Sequence, residues 1–181
     1  MPPISFMKIA LIGTGPSRFD FLEEIRSYPA IMTCSKSHDW LLEQGIVPTY
    51  HVDIDPKEHK IPSRIDARVK YYVNGVHDTY RAILPNQYSA FRRGTQCGDT
   101  ALTLAYHLGY REIHCYGFDA CGKGDEEFVL EGKSYRVNDN LLGSIHCFEE
   151  AAKRLSGVKV TVHGDGLLRA YLDKKYGTKI S

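Results

Sequence analysis

One stretch near the start of the chain constrains the fold more than any other. Residues 7–17 read MKIALIGTGPS, an apolar run that breaks into two glycines and a proline. The apolar half predicts a buried strand, and Gly13, Gly15 and Pro16 predict a tight turn at its carboxyl end. In an open α/β sheet such a turn lies at the ligand crevice. Because glycine has no Cβ, backbone N–H groups in this turn can come close to a bound phosphate or sugar.

The turn departs from the two common phosphate-binding motifs. It lacks the third glycine of the dinucleotide-binding fingerprint and the Gly-Lys-Ser/Thr of a P-loop. An ordinary turn from strand to helix explains the same letters, with Ser17 as a helix cap. The candidate nucleotide-binding turn comprises Gly13, Thr14, Gly15, Pro16 and Ser17.

Beyond this turn, strand patterns alternate with helix patterns. Apolar segments predict further strands at 31–34, 46–55, 69–76, 111–118 and 158–162. Helical periodicity predicts helices at 18–28, 37–45, 77–84, 100–108, 141–155 and 167–175. The remaining segments predict a loop or short helix at 57–68 that can act as a mobile flap, an irregular segment at 86–93 and a hairpin at 122–138. Strands separated by helices imply an α/β fold, a single Rossmann-like three-layer domain over residues 1–181 with a mainly parallel sheet.

Composition limits the classes of partner. The 181 residues carry a formal net charge of +1, with 43% hydrophobic and 25% charged residues. The basic residues are scattered, so no nucleic-acid or membrane-surface partner is predicted. No apolar run approaches the roughly 20 residues of a membrane span and no signal peptide is evident, so we expect a cytoplasmic protein.

The cysteines predict neither a disulfide framework nor a zinc site. They are five, an odd number, and are never spaced as CxxC. Cys121 has no histidine placed by sequence to activate it, so no nucleophilic role is predicted for its thiol.

Acidic side chains end the third predicted strand. His51, Asp53 and Asp55 alternate along it and therefore share one face. Charged groups on an internal strand are costly unless they are hydrogen-bonded, paired or metal-bound. Asp55, followed by Pro56, can bind a divalent cation, hydrogen-bond a ribose or act as a base, and it can equally cap the next turn.

Three further segments are predicted to reach the same edge of the sheet. Residues 94–99 read GTQCGD at a helix N-terminus, which suits a phosphate or carboxylate, although a capped helix explains Asp99 equally well. Asp119 ends the strand at 111–118 and can contact a ligand or a metal. The loop HGDG after the last strand allows close ligand approach. The additional candidate binding residues are Ser35, Asp53, Gly94, Thr95, Gly98, Asp119 and Gly164.

Several of these segments together resemble a known family. The GTGPS turn, the strand ending IDP and the run TALTLAYHLGYREIHCYGFD are similar to the MptE-like family, named for 6-hydroxymethylpterin pyrophosphokinases. The similarity runs through residues 8–119 and, more loosely, through HGDGL. The same layout resembles that of Rossmann-like bacterial sialyltransferases. The segment HxDxDPxxHK is most similar to small MptE-like proteins of bacteria and phages.

The two resemblances imply different ligands. The sialyltransferase layout implies a CMP-type nucleotide-sugar donor between the turns at 13–17 and 94–98. It also implies a base before the late helix, where this chain has Asn138 or Asp139 in place of a histidine. The pyrophosphokinase layout implies instead that Asp53, Asp55 and Asp119 position Mg2+ on ATP, with Asp53 and Asp55 as metal ligands.

We therefore expect a nucleotide-dependent transferase with an acceptor that the sequence does not identify. Glycosyl transfer is favoured, because the last strand and HGDGLL match the sugar-transferase layout and the reaction needs donor binding and one base. The candidate catalytic residues are Asp55, Asp139 and Asp119. A Mg-ATP-dependent pyrophosphokinase and a non-catalytic nucleotide-binding module, such as a phage accessory protein, are the alternatives. A chain of this length can lack a lid of its own and use one from a second copy, so a homo-oligomer is also among the expectations.

Overall fold

The apolar segments predicted as strands pair into one open sheet. The structure is a computed structural model that describes residues 7–54, 62–73, 87–89, 96–122 and 124–177. The strands are β1 Lys8–Ile12, β2 Ile31–Cys34, β3 Tyr50–Asp53, β4 Lys70–Val73, β5 Gln87–Ser89, β6 Glu112–Tyr116, β7 Glu126–Leu130, β8 Lys133–Val137 and β9 Lys159–Val162. The helices are α1 Leu22–Arg26, α2 Ser37–Glu43, α3 Cys97–His107, α4 Asp139–Arg154 and α5 Leu167–Tyr176, and a 3-10 helix at Pro16–Phe21 precedes α1.

The order of the strands creates a switch point beside β1. Within the described part of the chain, seven strands form a parallel sheet in the order β5-β4-β3-β2-β1-β6-β9. The chain runs outward from β1 to β5 and then returns to the other side of β1 with β6. Open α/β sheets bind ligands at such a point, outside the carboxyl ends of the strands. The predicted α/β class with a mainly parallel sheet is confirmed.

Helices cover both faces of the sheet. Along β1, Ile9 and Leu11 enter the core beneath α3, α4 and α5, whereas Ala10 and Ile12 enter the core beneath α1 and α2. Side chains of a strand alternate between its faces, so an uninterrupted apolar run is what a strand buried on both faces requires. All four side chains are fully buried.

The segment predicted as one helix at 18–28 is divided in the structure. A 3-10 helix covers Pro16–Phe21 and is followed by the short α1. A 3-10 helix has about three residues per turn, so the positions that point inward change. Phe19 is spaced with Phe21, Leu22 and Ile25 on the apolar face that an α-helix at 18–28 would bury, but it is 54% exposed and its ring packs at the surface against Trp40.

The segment predicted as irregular at 86–93 contains the edge strand of the sheet. Residues 87–89 pair in parallel with β4. Three residues are too few to show a strand period in the sequence. Residues 55–61, 74–86 and 90–95 lie outside the described residues, and with them the predicted helix at 77–84 and the first part of the predicted flap.

Two other predicted segments can be placed. The second part of the flap segment is bound to α2, because the Ser63 N–H donates to Asp39 Oδ2 at 2.8 Å. The hairpin predicted at 122–138 is confirmed, since β7 and β8 pair antiparallel. None of the helices within the described ranges combines the length and apolarity needed to cross a membrane.

Candidate functional site

The turn after β1 is held against the loop after β6. The Gly13 N–H donates to the Tyr116 carbonyl at 2.8 Å, and the Gly15 N–H donates to the Gly117 carbonyl at 2.8 Å. A Cβ on Gly13 would lie 2.5 Å from the Gly117 oxygen, and a Cβ on Gly15 would lie 2.7 Å from the same atom. The two glycines are therefore required by the close approach of two backbone segments at the switch point.

Asp119 joins this turn to its neighbours. The Ser17 N–H donates to Asp119 Oδ2 at 2.9 Å, and the Ser17 hydroxyl donates to Oδ1. The Asp119 carbonyl accepts from the Leu168 N–H, at the start of α5, at 3.2 Å. Asp119 is 4% exposed, and both of its carboxylate oxygens are engaged. It therefore holds three strand-end loops together at the carboxyl edge of the sheet.

A cleft of about 790 Å3 opens at the switch point. Its walls come from the loops after β1, β2 and β6, from the first turn of α3 and from the N-terminal half of α4. The sequence-predicted residues that line the cleft are Gly13, Thr14, Gly15, Pro16, Ser35, Gly98 and Asp119. Residues from distant parts of the chain are thus brought to one cavity.

Three sequence-predicted residues lie away from the cleft wall. Ser17 is buried behind the turn, where it contacts Asp119. Gly164 lies against the Ser17 side chain, and Asp53 is fully buried in β3. None of these three lines the cleft.

Four further predicted residues lie outside the described part of the chain, either whole or in their side chain. Asp55, Gly94 and Thr95 lie outside the described residues. Asp139 is the first residue of α4, and its side chain lies outside the described part of the chain. Leu141, Ser144 and Ile145 of the same helix line the cleft, so α4 begins beside it.

The cleft combines apolar and polar walls. Phe118, Ile145, Phe148 and Leu168 form the apolar wall, with the rings of Phe118 and Phe148 centred 5.8 Å apart. The polar wall comes from the backbone of residues 13–16, from Ser35 and from the first turn of α3. Small-molecule sites commonly pair apolar walls with a few placed polar groups. Such a cleft suits a ligand that has both a ring and a charged or hydroxylated part.

The first turn of α3 is capped by the side chain of Asp99, which belongs to that turn. The Gln96 N–H donates to Asp99 Oδ1 at 3.2 Å, which is one bond of a capping box. The structure therefore has the capped helix that the sequence offers as an alternative explanation for Asp99. Gly98 in the same turn faces the cleft.

Arg18 is a cleft residue that sequence reasoning missed. Among the described residues that line the cleft, it is the one basic side chain. Its Nη1 donates to the carbonyls of Thr14 and Gly15, the latter at 2.8 Å. Burial lowers the pKa of its guanidinium from the usual value, and the nearby Asp119 charge opposes that effect. The available signal was its position directly after the GTGPS turn.

Cys34 and Cys121, which line the cleft, are not activated thiols. Burial raises the pKa of the Cys34 thiol well above its usual value, and burial also raises the pKa of the Cys121 thiol. A raised pKa makes the reactive thiolate scarce at neutral pH. This agrees with the sequence argument against a nucleophilic Cys121.

The alternating polar face of β3 is satisfied partly by neighbouring strands. Thr33 Oγ1 on β2 lies 3.0 Å from His51 Nδ1, and the His51 ring is fully buried. Burial lowers the pKa of His51 to about 3, with His38 adding to the effect, so the imidazole is neutral at pH 7. Within the described ranges, no three His, Cys, Asp or Glu side chains gather where they could hold a metal ion.

Comparison with known proteins identifies the fold. No family model and no curated protein sequence matches the chain. The MAf glycosyltransferase from Magnetospirillum magneticum AMB-1 superposes with a TM-score of 0.59 at 17% identity, over 97% of this chain. A probable thiamine pyrophosphokinase from Staphylococcus saprophyticus subsp. saprophyticus superposes with a TM-score of 0.50 at 18% identity, over 88% of this chain.

Both likenesses concern the fold. The chain spans 37% of the length of the glycosyltransferase and 66% of the length of the pyrophosphokinase. At such identities a superposition shows a common α/β arrangement, and function has to be argued from the site.

Proposed function

We propose that the chain is a nucleotide-dependent transferase that moves a glycosyl group from a nucleotide-sugar donor bound in the cleft. The observation that carries the proposal is the position of the cleft, at the switch point between β1 and β6, with the glycine turn and the start of α3 in its walls. The N–H groups of Gly13, Gly15 and Ser17 already donate to Tyr116, Gly117 and Asp119, so the first turn of α3 is proposed to supply the N–H partners of the phosphate oxygens.

The size and lining of the cleft support the same proposal. Its volume of about 790 Å3 falls within the range of pockets for small molecules and cofactors. The Phe118 and Phe148 rings offer a surface for a nucleobase, whereas Ser35 and the turn at 13–16 offer polar contacts for a sugar phosphate. The shared fold of a glycosyltransferase and the sialyltransferase-like sequence pattern favour this class of reaction.

Asp139 is the proposed general base of the transfer. It is the first residue of α4, and three residues in the next two turns of that helix line the cleft. A carboxylate there would accept the proton of an acceptor hydroxyl as its oxygen bonds to the sugar, while the bond between the sugar and the donor phosphate breaks and the nucleotide leaves. Asp55 is retained as the second candidate, and Asp119 is proposed to act on the donor through the turn that it holds.

Pyrophosphate transfer from Mg-ATP is the second candidate, because a probable thiamine pyrophosphokinase shares the fold. Two observations weigh against it. Asp53 is fully buried and does not line the cleft, and both carboxylate oxygens of Asp119 accept hydrogen bonds from Ser17. Mg2+ takes oxygen ligands that are free to coordinate it, so Asp119 would have to exchange Ser17 for the ion.

Ligand binding separates these candidates. Thermal shift and calorimetry with CMP, CDP, UDP, GDP and ATP, each in Mg2+ and in EDTA, report binding to the folded state. We expect metal-independent binding of a pyrimidine nucleotide. Binding of ATP only with Mg2+ would replace glycosyl transfer with pyrophosphate transfer, and no binding of any nucleotide would reject both.

A matched pair of variants on α4 locates the bound nucleotide. Ser144 lines the cleft, whereas His146 is exposed on the same helix away from it. Ser144→Trp fills the cleft, so we expect it to abolish nucleotide binding, and His146→Trp should bind as the parent does. Equal binding by both variants would place the nucleotide elsewhere. Asp139→Asn should keep donor binding and lose transfer, whereas retained transfer would exclude Asp139 as the base.

A further inference from the structure

One side of the Arg18 guanidinium is held in place at the edge of the cleft. Its Nη1 donates to the Thr14 and Gly15 carbonyls of the glycine turn. The guanidinium carbon lies 4.3 Å from the centre of the Phe19 ring and 5.1 Å from the centre of the Trp40 ring. Cation–π contacts of this kind orient a guanidinium and leave its in-plane donors available.

The other edge of the same guanidinium lacks acceptors. Nε is shielded from solvent and makes no hydrogen bond within the described part of the chain. The structure likewise gives Nη2 no hydrogen bond to a described residue, since both side-chain hydrogen bonds of Arg18 come from Nη1. Nε and Nη2 form the edge of the planar fork that matches two oxygens of a phosphate or carboxylate. A shielded donor without an acceptor is costly, and an anion would remove that cost.

Arg18 is the cationic group that the described lining of the cleft offers to an anion. Arg18 is the one basic side chain among the described residues that line the cleft. Of the two acidic residues there, Asp119 is engaged by Ser17 and Asp99 accepts from the Gln96 N–H. Because these carboxylates are already hydrogen-bonded to Ser17 and Gln96, they compete less with an incoming anion for Arg18.

We propose that Arg18 is a ligand-binding residue that holds phosphoryl oxygens of the bound donor through its Nε and Nη2 edge. The chemical class of the ligand, a nucleoside mono- or diphosphate, rests on the proposed function. The anion contact itself is independent of that function, because any phosphate oxygen can make it. In this arrangement Nη1 keeps the glycine turn in place while the opposite edge contacts the ligand.

The single tryptophan of the chain provides the measurement. Trp40 contacts both the Arg18 guanidinium and the Phe19 ring, so its fluorescence reports on this edge of the cleft. The probes are inorganic pyrophosphate and CDP, each titrated in EDTA. The variants are Arg18→Lys, which keeps a cation near the turn and loses the planar fork, and Arg18→Gln. Arg26→Gln on α1 is the matched control, because Arg26 lies outside the cleft and contacts Glu23 and the Gln44 carbonyl.

The expected result is a pyrophosphate-dependent change in Trp40 fluorescence in the parent protein. The affinity should fall about 10-fold or more in Arg18→Lys and Arg18→Gln, as expected for a lost charge-assisted hydrogen bond, and stay unchanged in Arg26→Gln. Melting temperatures identify any variant that fails to fold. A measurement free of variants is the NMR resonance of the Arg18 Nε–H, which should shift when pyrophosphate is added.

Two results would overturn the role of Arg18. One is unchanged pyrophosphate affinity in folded Arg18 variants, and the other is an Nε–H resonance that pyrophosphate does not move. CDP binding that is indifferent to Arg18 and blocked by Ser144→Trp would reject the Arg18 contact and leave the proposed function standing. Pyrophosphate binding that requires Arg18, without binding of any nucleotide, would support the contact and reject the proposed function.

Discussion

The glycines of the β1 turn are explained first by packing against the loop after β6. Any side chain on Gly15 would overlap the Asp119 carboxylate and approach the Gly117 carbonyl. The pattern GTGPS therefore predicts a turn correctly, but its glycines are explained by packing in the fold as well as by contact with a ligand. This double use is why a single sequence cannot separate a nucleotide-binding turn from a tightly packed one.

At this position we predict a loss of stability that depends on a single Cβ. Gly15→Ala should lower the free energy of unfolding by about 1–3 kcal/mol, because the added atom has no space and the turn or Asp119 must shift. Gly143→Ala on α4 is the control, since a Cβ there meets nothing within 4 Å and alanine favours a helix. Urea denaturation measures both. Equal stability of Gly15→Ala and the parent would show that the turn relaxes freely.

The buried His51 predicts a dependence of stability on pH. Its pKa falls from the ordinary 6.5 to about 3 in the folded protein, so the folded state binds its proton less readily than the unfolded state. The contribution is complete above pH 6.5 and is lost as the pH falls toward 3. Between roughly pH 7 and 5 this one group should cost about 2 kcal/mol.

The check is the difference between the parent and His51→Gln, each measured by urea denaturation across that range. Other histidines titrate in both proteins, so only the difference between the two slopes belongs to His51. Parallel slopes would mean that the imidazole can take up a proton in the folded state.

At the scale of elements, α4 and α5 are joined by a buried carboxylate. Glu149 on α4 accepts from Lys175 Nζ at 2.6 Å and from the Tyr176 hydroxyl on α5, and Lys153 Nζ lies 3.2 Å away. Burial by itself raises the pKa of Glu149, but these hydrogen bonds outweigh it and bring the pKa to about 2. The contact fixes α5 against the helix that forms one wall of the cleft.

Removing this carboxylate should loosen the pair of helices. Glu149→Ala is expected to lower the free energy of unfolding by about 1–3 kcal/mol, because it removes the carboxylate that accepts from Lys175 and Tyr176 on α5. Glu150→Ala is the neighbouring control, since Glu150 is more exposed and contacts Lys153 alone among these three. Thermal or urea unfolding compares the variants. Equal losses at both positions would reduce the Glu149 contact to an ordinary surface pair.

The elements predicted best are those with a clear apolar period. β1, β2, β6 and β9 appear where their apolar runs predict them, and the hairpin of β7 and β8 appears within its predicted segment. The 3-10 helix at Pro16–Phe21 was not predicted, because its sequence also fits an α-helical face. Tertiary contacts of Arg18 and Phe19 with Trp40 accompany the observed arrangement.

At the scale of the whole molecule, the sequence predicts the class of the sheet but not the order of its strands. Periodicity shows which face a residue occupies, and it contains no information on which strand is the neighbour. Residues 13–16 of the glycine turn, Ser35, Gly98 and Asp119 were predicted to reach one edge, and all of them line one cleft. Arg18 and the apolar wall of Phe118, Ile145 and Phe148 escaped prediction, because the wall depends on how α4 packs over the sheet.

The hydrogen bonds between Ser17 and Asp119 span 102 residues of sequence. During synthesis, Ser17 is made 102 residues before Asp119, so the hydrogen bonds between them are absent while the first strands of the sheet have already been made. Contacts of such long range form slowly, because a large loop must close before they contribute. The turn after β1 therefore gains its contact with Asp119 only after β6 and the loop that follows it have been added to the chain.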